Sequence, residues 1–247
     1  MRRAVWIGIL AVLAFALILF ARFPAYWVMG ALPPGYSCDD VDGTLWSGSC
    51  GGLMLRHQIL LGDLSWQLHP GRLFAGALAA HVKLTQPGGA VDGEAEYSLG
   101  GRLSARDVHG TLHLDPALLP QAPAKLRGEL RADLSLIELQ HGRLADLRGR
   151  IEAHNLEQTS GNTTALGDYA LSFTGVAPGA ALAGELHDLG GPLAVHGTLR
   201  MTPEPGFILE GKVATRASVA PELERQLQML GPPDAQGQRS FSLADTF

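Results

Sequence analysis

Two cysteines are all that the chain has among 247 residues. That excludes a disulfide-dense scaffold and a four-cysteine zinc site. Charge is also scarce: 17% of residues are Asp, Glu, Lys or Arg, and the formal net charge is -5. A nucleic-acid binder needs a basic face large enough to displace phosphate counterions, so that class is excluded. The chain lacks a Gly-x-Ser-x-Gly elbow, a phosphate-binding Gly-rich loop and a His-Glu-x-x-His pair, so no enzymatic activity and no cofactor are expected. Aromatic residues make up only 6%, and the 46% hydrophobic share is mostly Leu, Ala and Val. With Gly 31 and Pro 15 at or above ordinary usage but without a repeat, this is neither a low-complexity nor a charged disordered chain.

One long apolar run is present. Ala4 to Ala21 carries no charged residue, close to the roughly 20 residues a helix needs to cross a hydrocarbon core of about 30 Å. A cleaved signal peptide is the rival reading, but no small-x-small site follows the run. Arg2 and Arg3 precede it and only Arg22 follows closely, which predicts a cytoplasmic N-terminus and a translocated body. The expected organisation is a cytoplasmic tail over 1–3, a transmembrane helix over 4–23, a juxtamembrane linker over 24–33 and a periplasmic β domain over 34–247. Tyr26 and Trp27 fall where interfacial aromatics belong. Setting aside Arg2, Arg3 and Arg22 leaves 16 basic residues against 24 acidic ones, so the body is acidic and poorly suited to anionic lipid surfaces.

The body alternates. Leu126, Gly128, Leu130, Ala132, Leu134 and Leu136 interleave with Arg127, Glu129, Arg131, Asp133 and Ser135, the period of a half-buried antiparallel strand. Similar alternation runs through 78–84, 110–114, 169–173, 193–201 and 207–213, and Gly-x-Leu starts recur at irregular spacing. Turn chemistry at Pro87-Gly88-Gly89, Asp92-Gly93, Pro178-Gly179, Gly190-Gly191-Pro192 and Pro203-Glu204-Pro205-Gly206 separates the runs. Helical candidates are one turn at Asp115–Gln121 and a stronger segment over Pro221–Leu230, with Ser218 as a cap and Gly231 as a stop. The fold class is therefore mostly β: one N-terminal transmembrane helix, then a curved antiparallel sheet forming a groove or open barrel, with a short C-terminal helix. A two-sheet sandwich is the alternative.

Cys38 and Cys50 lie 12 positions apart just beyond the apolar run. In an oxidising compartment they are a disulfide candidate, contributing about 3 kcal/mol in the chain-entropy model; two buried thiols are the other reading. A two-residue turn at Asp42-Gly43 would put Cys38 opposite position 47, so a longer or bulged turn is needed. No metal set emerges. His109 and His113 share a β-like stretch without completing ligands, His187 and Asp188 point to opposite faces, and the remaining histidines are scattered. Asp39, Asp40 and Asp42 lack the flanking acids of a calcium loop.

The stretch Val41-Asp42-Gly43-Thr44-Leu45-Trp46-Ser47-Gly48 resembles the type II secretion system protein N family. So do Leu64-Ser65-Trp66-Gln67-Leu68-His69-Pro70 with Leu73 and Gly76, Leu166-Gly167-Asp168-Tyr169, Gly190-Gly191-Pro192-Leu193, and 227–231. The resemblance implies a bitopic inner-membrane protein with a periplasmic domain, an accessory, non-enzymatic component that contacts other secretion components. In strand style the body is similar to AsmA-type proteins, whose curved sheets line apolar grooves, so a lipid in such a groove is a second implied partner. Trp46 and Trp66 read either as core anchors of the sheet or as partner contacts.

Overall fold

Alternating apolar and polar residues produce strands wherever one face can be covered, and most of this chain obeys that pattern. The computed structural model describes residues 2–30, 35–55, 59–116, 125–159, 163–176, 181–201, 206–216 and 219–246, with the side chains of 2–5, 8, 16, 17, 28, 29, 245 and 246 left aside. The turns at Pro178-Gly179 and Pro203–Pro205, the Ser218 cap and most of the Asp115–Gln121 turn lie outside the described residues.

The chain divides into two compact units, Met1–Thr85 and Gln86–Phe247. The first opens with helix α1 (Arg2–Ala21), 20 residues long, followed by the short α2 (Tyr26–Met29). Among the described residues no helix is long and apolar enough to cross a membrane. The backbone of α1 is nevertheless helical throughout its 20 residues, and each of its described side chains is exposed. Strands β1 (Tyr36–Ser37) and β2 (Asp40–Gly43) both pair with β3 (Ser47–Leu55), in one common register. β3 pairs with β4 (Ile59–Leu68), and β4 with β5 (Ala77–Gln86) across a 3₁₀ turn at Pro70–Ala75.

The second unit contains β6 (Gly89–Ser98), β7 (Arg102–Leu114), β8 (Leu126–Gln140), β9 (Arg143–Gln158), β10 (Thr164–Thr174), β11 (Ala183–Gly190), β12 (Leu193–Met201), β13 (Gly206–Thr215), α3 (Pro221–Gln228) and β14 (Arg239–Thr246). Each strand is antiparallel to its neighbour in the chain, and β6 and β14 do not pair with each other. This unit is thus a single open sheet, and the two-sheet sandwich is not adopted in it. Leu134, Leu147, Phe173 and Leu182 form a core with each side chain less than a tenth exposed. Val108, Ile137, Leu144, Ile151, Leu171, Val176, Leu199 and Met201 pack around it, and no helix residue takes part. An apolar face that no helix covers stays dry only if the sheet bends over it.

Glycines and bulges interrupt the regular ladder of this sheet. Asp92-Gly93, expected as a turn, lies inside β6. The pairing of β6 with β7 slips there by one residue, and a Cβ at Gly93 would lie 2.8 Å from Val108 Cγ2. This glycine admits a bulge in place of a reversal. The reversal between β8 and β9 is made instead by His141 and Gly142, at φ 51° and 77°, the left-handed pair of a two-residue hairpin. At Gly149 the backbone has φ 124° and faces Leu134, and a Cβ would meet the Asp133 carbonyl oxygen at 2.3 Å.

Gly149→Ala is therefore expected to cost more than about 2 kcal/mol, combining strain with a backbone collision. Gly142→Ala, with φ 77° but nothing within 4 Å of the added carbon, should cost only about 1 kcal/mol. Urea unfolding of the full chain in detergent separates the two, and equal losses would contradict the close approach at Gly149.

Candidate functional site

In the first unit, the end of α1 and the β2–β3 turn are built against each other. The last carbonyls of a helix have no partner inside it. Here the Trp46 indole N–H donates to the Phe20 carbonyl at 2.8 Å, across 26 positions of sequence. The rings of Phe20 and Trp46 meet edge-on with centroids 4.6 Å apart. The backbone adds more: Leu45 N–H donates to the Phe23 carbonyl at 2.8 Å, and Ala25 N–H donates to the Gly43 carbonyl at 3.2 Å. Pro24 bridges to Thr44 in strand fashion, and Ala25 is buried.

Each residue of Gly43-Thr44-Leu45-Trp46-Ser47-Gly48 has a local reason. Gly43 has φ 95°, and a Cβ there would lie 2.5 Å from the Ser47 carbonyl oxygen. Thr44 closes the turn: its N–H donates to the Ser47 carbonyl at 2.9 Å, and its Oγ1 accepts from Ser47 N–H at 3.2 Å. Gly48 leaves room for Trp66, since an added Cβ would lie 2.5 Å from Trp66 Cζ2. The Trp66 indole N–H donates to the Leu45 carbonyl at 3.1 Å. Trp46 and Trp66 are each half-buried and each spends its N–H inside the unit. Trp46 holds the turn to the helix, while Trp66 holds the turn to the sheet.

Cys38 and Cys50 are joined by a disulfide with Cα atoms 5.6 Å apart. The ladder closes at Gly43↔Gly48, leaving the four-residue loop Thr44–Ser47, so Asp42-Gly43 is its last rung and not a two-residue turn. In that register Cys50 faces Val41, and Cys38 reaches it from the break between β1 and β2. Asp39 N–H donates to the Gly51 carbonyl at that break, and Gly52 N–H donates to Asp63 Oδ1 at 3.0 Å. Among the described residues no group of three His, Cys, Asp or Glu side chains is arranged to hold a metal.

In the second unit three further stretches noted in the sequence converge at one end of the sheet. Gly167 and Gly191 lie face to face; a Cβ on Gly191 would sit 2.6 Å from Gly167 Cα. Leu193, Val195 and Val213 form a buried cluster with Leu223 and Leu227 of α3, and Leu166, Tyr169, Leu186, Val219 and Phe241 pack onto it. Arg216 ties this end together. Its Nη1 donates to the carbonyls of Gly191 and Leu193 at 3.2 and 3.1 Å, and its Nη2 to Asp188 Oδ2 at 2.5 Å. Asp188 Oδ1 accepts from Val195 N–H at 2.8 Å, and Tyr169 O–H donates to the Leu166 carbonyl at 2.7 Å. Burial acts to raise the Asp188 pKa, but the bonds from Arg216 and Val195 outweigh it and hold the carboxyl below its usual range. Burial first, and the Asp188 carboxylate second, push the Tyr169 hydroxyl up to about 12.

The histidines stay apart from this cluster. His109 and His113 are both exposed on β7. His154 contacts Glu152 at 2.9 Å and Asp168 at 3.6 Å. The His154 bond, then Arg150, holds the Glu152 carboxyl low. Asp168 also accepts from Asn155 N–H at 2.7 Å, pinning a residue with φ 50°. Asp188 turns to Arg216 and not to its neighbour His187. Arg216 carried no sequence signal of its own, because its partner lies 28 positions away and only strand pairing unites them.

The folded state holds the Tyr169 proton more tightly than the unfolded chain, whose phenol titrates near 10. This group's contribution to stability is thus complete below about pH 10 and is lost as pH rises through about 12. Tyr169→Phe should flatten the alkaline fall in stability relative to the parent. Urea midpoints measured from about pH 9 to 12 report it, and parallel curves for the two chains would count against the assignment.

These stretches can be compared with known proteins. The family model described as type II secretion system (T2SS), protein N, matches residues 34–242, which takes in both the β2–β3 turn and the Arg216 cluster. The chain is 25% identical over 248 aligned residues to the type II secretion system protein N of Aeromonas hydrophila, with 96% of each chain covered. No solved structure matches. The turn residues Gly43–Gly48 and the Gly167–Gly191 contact thus lie within a match spanning most of the chain, which belongs to the type II secretion system protein N family.

Proposed function

We propose that this protein is an accessory, non-enzymatic component of the type II secretion system, anchored in the inner membrane by α1 and acting through protein–protein contacts of a periplasmic β body. Family membership supports the secretion role. The observation that carries the rest is the junction: a 20-residue helix of apolar composition is hydrogen-bonded at its end to the first turn of the sheet. What supports the anchor is the sequence of Ala4–Ala21, which carries no charged residue. Arg2 and Arg3 against the single Arg22 favour a cytoplasmic N-terminus. The polar groups described above serve caps, ion pairs and turns, which fits a body that presents surfaces and leaves chemistry to others.

A periplasmic lipid-binding role is the second reading, favoured by the apolar face of the second unit. The Leu134, Leu147, Phe173 and Leu182 side chains pack against one another there. Native mass spectrometry of the detergent-extracted chain tells the readings apart, since a lipid carrier would keep a stoichiometric lipid.

Deleting the gene is expected to reduce export of a secreted hydrolase or to impair assembly of the inner-membrane platform. Normal export together with normal assembly would overturn the secretion role. Alkylation of the membrane-embedded protein checks the compartment. Cys38 and Cys50 should label only after reduction, whereas free labelling beforehand would argue against a periplasmic body.

A further inference from the structure

The most exposed large apolar side chain described in this protein is Phe74, at 97%. It lies in the Pro70–Ala75 turn, none of whose residues is buried, beside Leu73 at 41%. Such a side chain on a rigid turn costs solubility unless something apolar receives it. Its place in the first unit says what that is. Leu68 N–H, at the end of β4, donates to the Trp46 carbonyl at 2.7 Å, and Trp46 itself caps the end of α1. His69 N–H donates to the Ala79 carbonyl at 2.8 Å and holds the base of the turn to β5. The turn therefore leaves the sheet at the end to which the α1 terminus is fastened, and six 3₁₀ residues extend only about 12 Å.

Around that end the composition is interfacial. Tyr26 is 75% exposed and Trp27 64%, and Arg22 and Arg72 are exposed. Residues 69–76 contain no carboxylate, in a body whose acidic residues outnumber its basic ones. Aromatic and apolar side chains flanked by arginine suit the boundary between headgroups and acyl chains. We infer that the Pro70–Ala75 turn is a second membrane contact, which seats Phe74 and Leu73 in the outer interface of the bilayer that α1 crosses. The inference rests on the reading of α1 as an anchor. It adds that the body is held against the membrane at two points and does not swing on one. The occupant is lipid because the α1 end sets this turn at the level where the helix leaves the bilayer.

The test uses the full chain reconstituted in phosphatidylcholine vesicles, with the native disulfide intact. Phe74→Cys and Leu60→Cys each receive an environment-sensitive fluorophore; Leu60 is exposed at the far end of β4, about 26 Å along the strand from Leu68. Nitroxide-labelled lipid should quench the Phe74 probe several times more than the Leu60 probe, while aqueous iodide does the reverse. Equal iodide quenching at both sites, in protein that resists alkaline carbonate extraction, overturns the contact and leaves the anchor standing. Extraction of the protein by carbonate overturns both. Shielding of the Phe74 probe that appears only when other secretion components are added would assign the surface to a protein and refute the lipid contact.

Discussion

The last carbonyl groups of a helix have no partner within its own turns. In this protein the partners come from a β turn. Trp46 reaches back to the Phe20 carbonyl and Leu45 to that of Phe23, so the first hairpin must sit where those donors can reach. Much of the first unit follows from that requirement. Gly43 and Gly48 bracket the turn because side chains would collide with Ser47 and Trp66. Trp66 supports Leu45 from the sheet side, and the Cys38–Cys50 bond closes the strand break next to the same hairpin. Helix and sheet are consequently one mechanical piece.

The second unit meets a different constraint. Its sheet is long, its side chains are small, and few helical residues are available to cover it. Close glycine contacts take over where bulk is lacking: Gly167 against Gly191, and Gly197 against Gly211. Arg216 then satisfies the carbonyls that this close approach leaves at Gly191 and Leu193, and Asp188 neutralises the guanidinium while accepting from Val195. The Arg216 side chain is 43% exposed and that of Asp188 14%, so the pair directs these strand ends more than it stabilises them. Two of the stretches that resemble the family, Gly43–Gly48 and Gly167 with Gly191, are places where an added Cβ would collide with backbone or a ring.

Much of the β body was legible in the sequence. Period-two alternation located β8, and it located β12 to its ends, Leu193–Met201. The 3.6-residue spacing of Leu223 and Leu227 located α3, although its described N-cap is Ala220, without a side-chain bond. What escaped did so for physical reasons. β3 and β6 are rich in Gly, Ala and Ser, which give little hydrophobic contrast between faces. Asp92-Gly93 has turn chemistry, yet a bulge makes the same demand on the backbone. His141-Gly142 makes a tight hairpin without the residues usually looked for. The roles of Trp46 and Arg216 depend on register between segments 26 and 28 positions apart, which no local pattern encodes. For the two tryptophans the sequence supported both a core and a contact reading, and their N–H partners are both internal.

The order of strands in the second unit also governs how that unit comes to exist. From β6 to β14 every strand finds its partner in the one before it. Where the reversal is as short as His141-Gly142, a hairpin closes on the microsecond scale, far faster than residues are added during synthesis. Each new strand thus meets a finished edge and needs no distant segment, so the sheet grows by templated addition from its N-terminal side. Only the last step departs from this: α3 intervenes before β14, with Leu223 and Leu227 packed on Leu193, Val195 and Val213 of β12 and β13. Among the described elements of this unit, β14 is the strand that a helix separates from its partner in the chain.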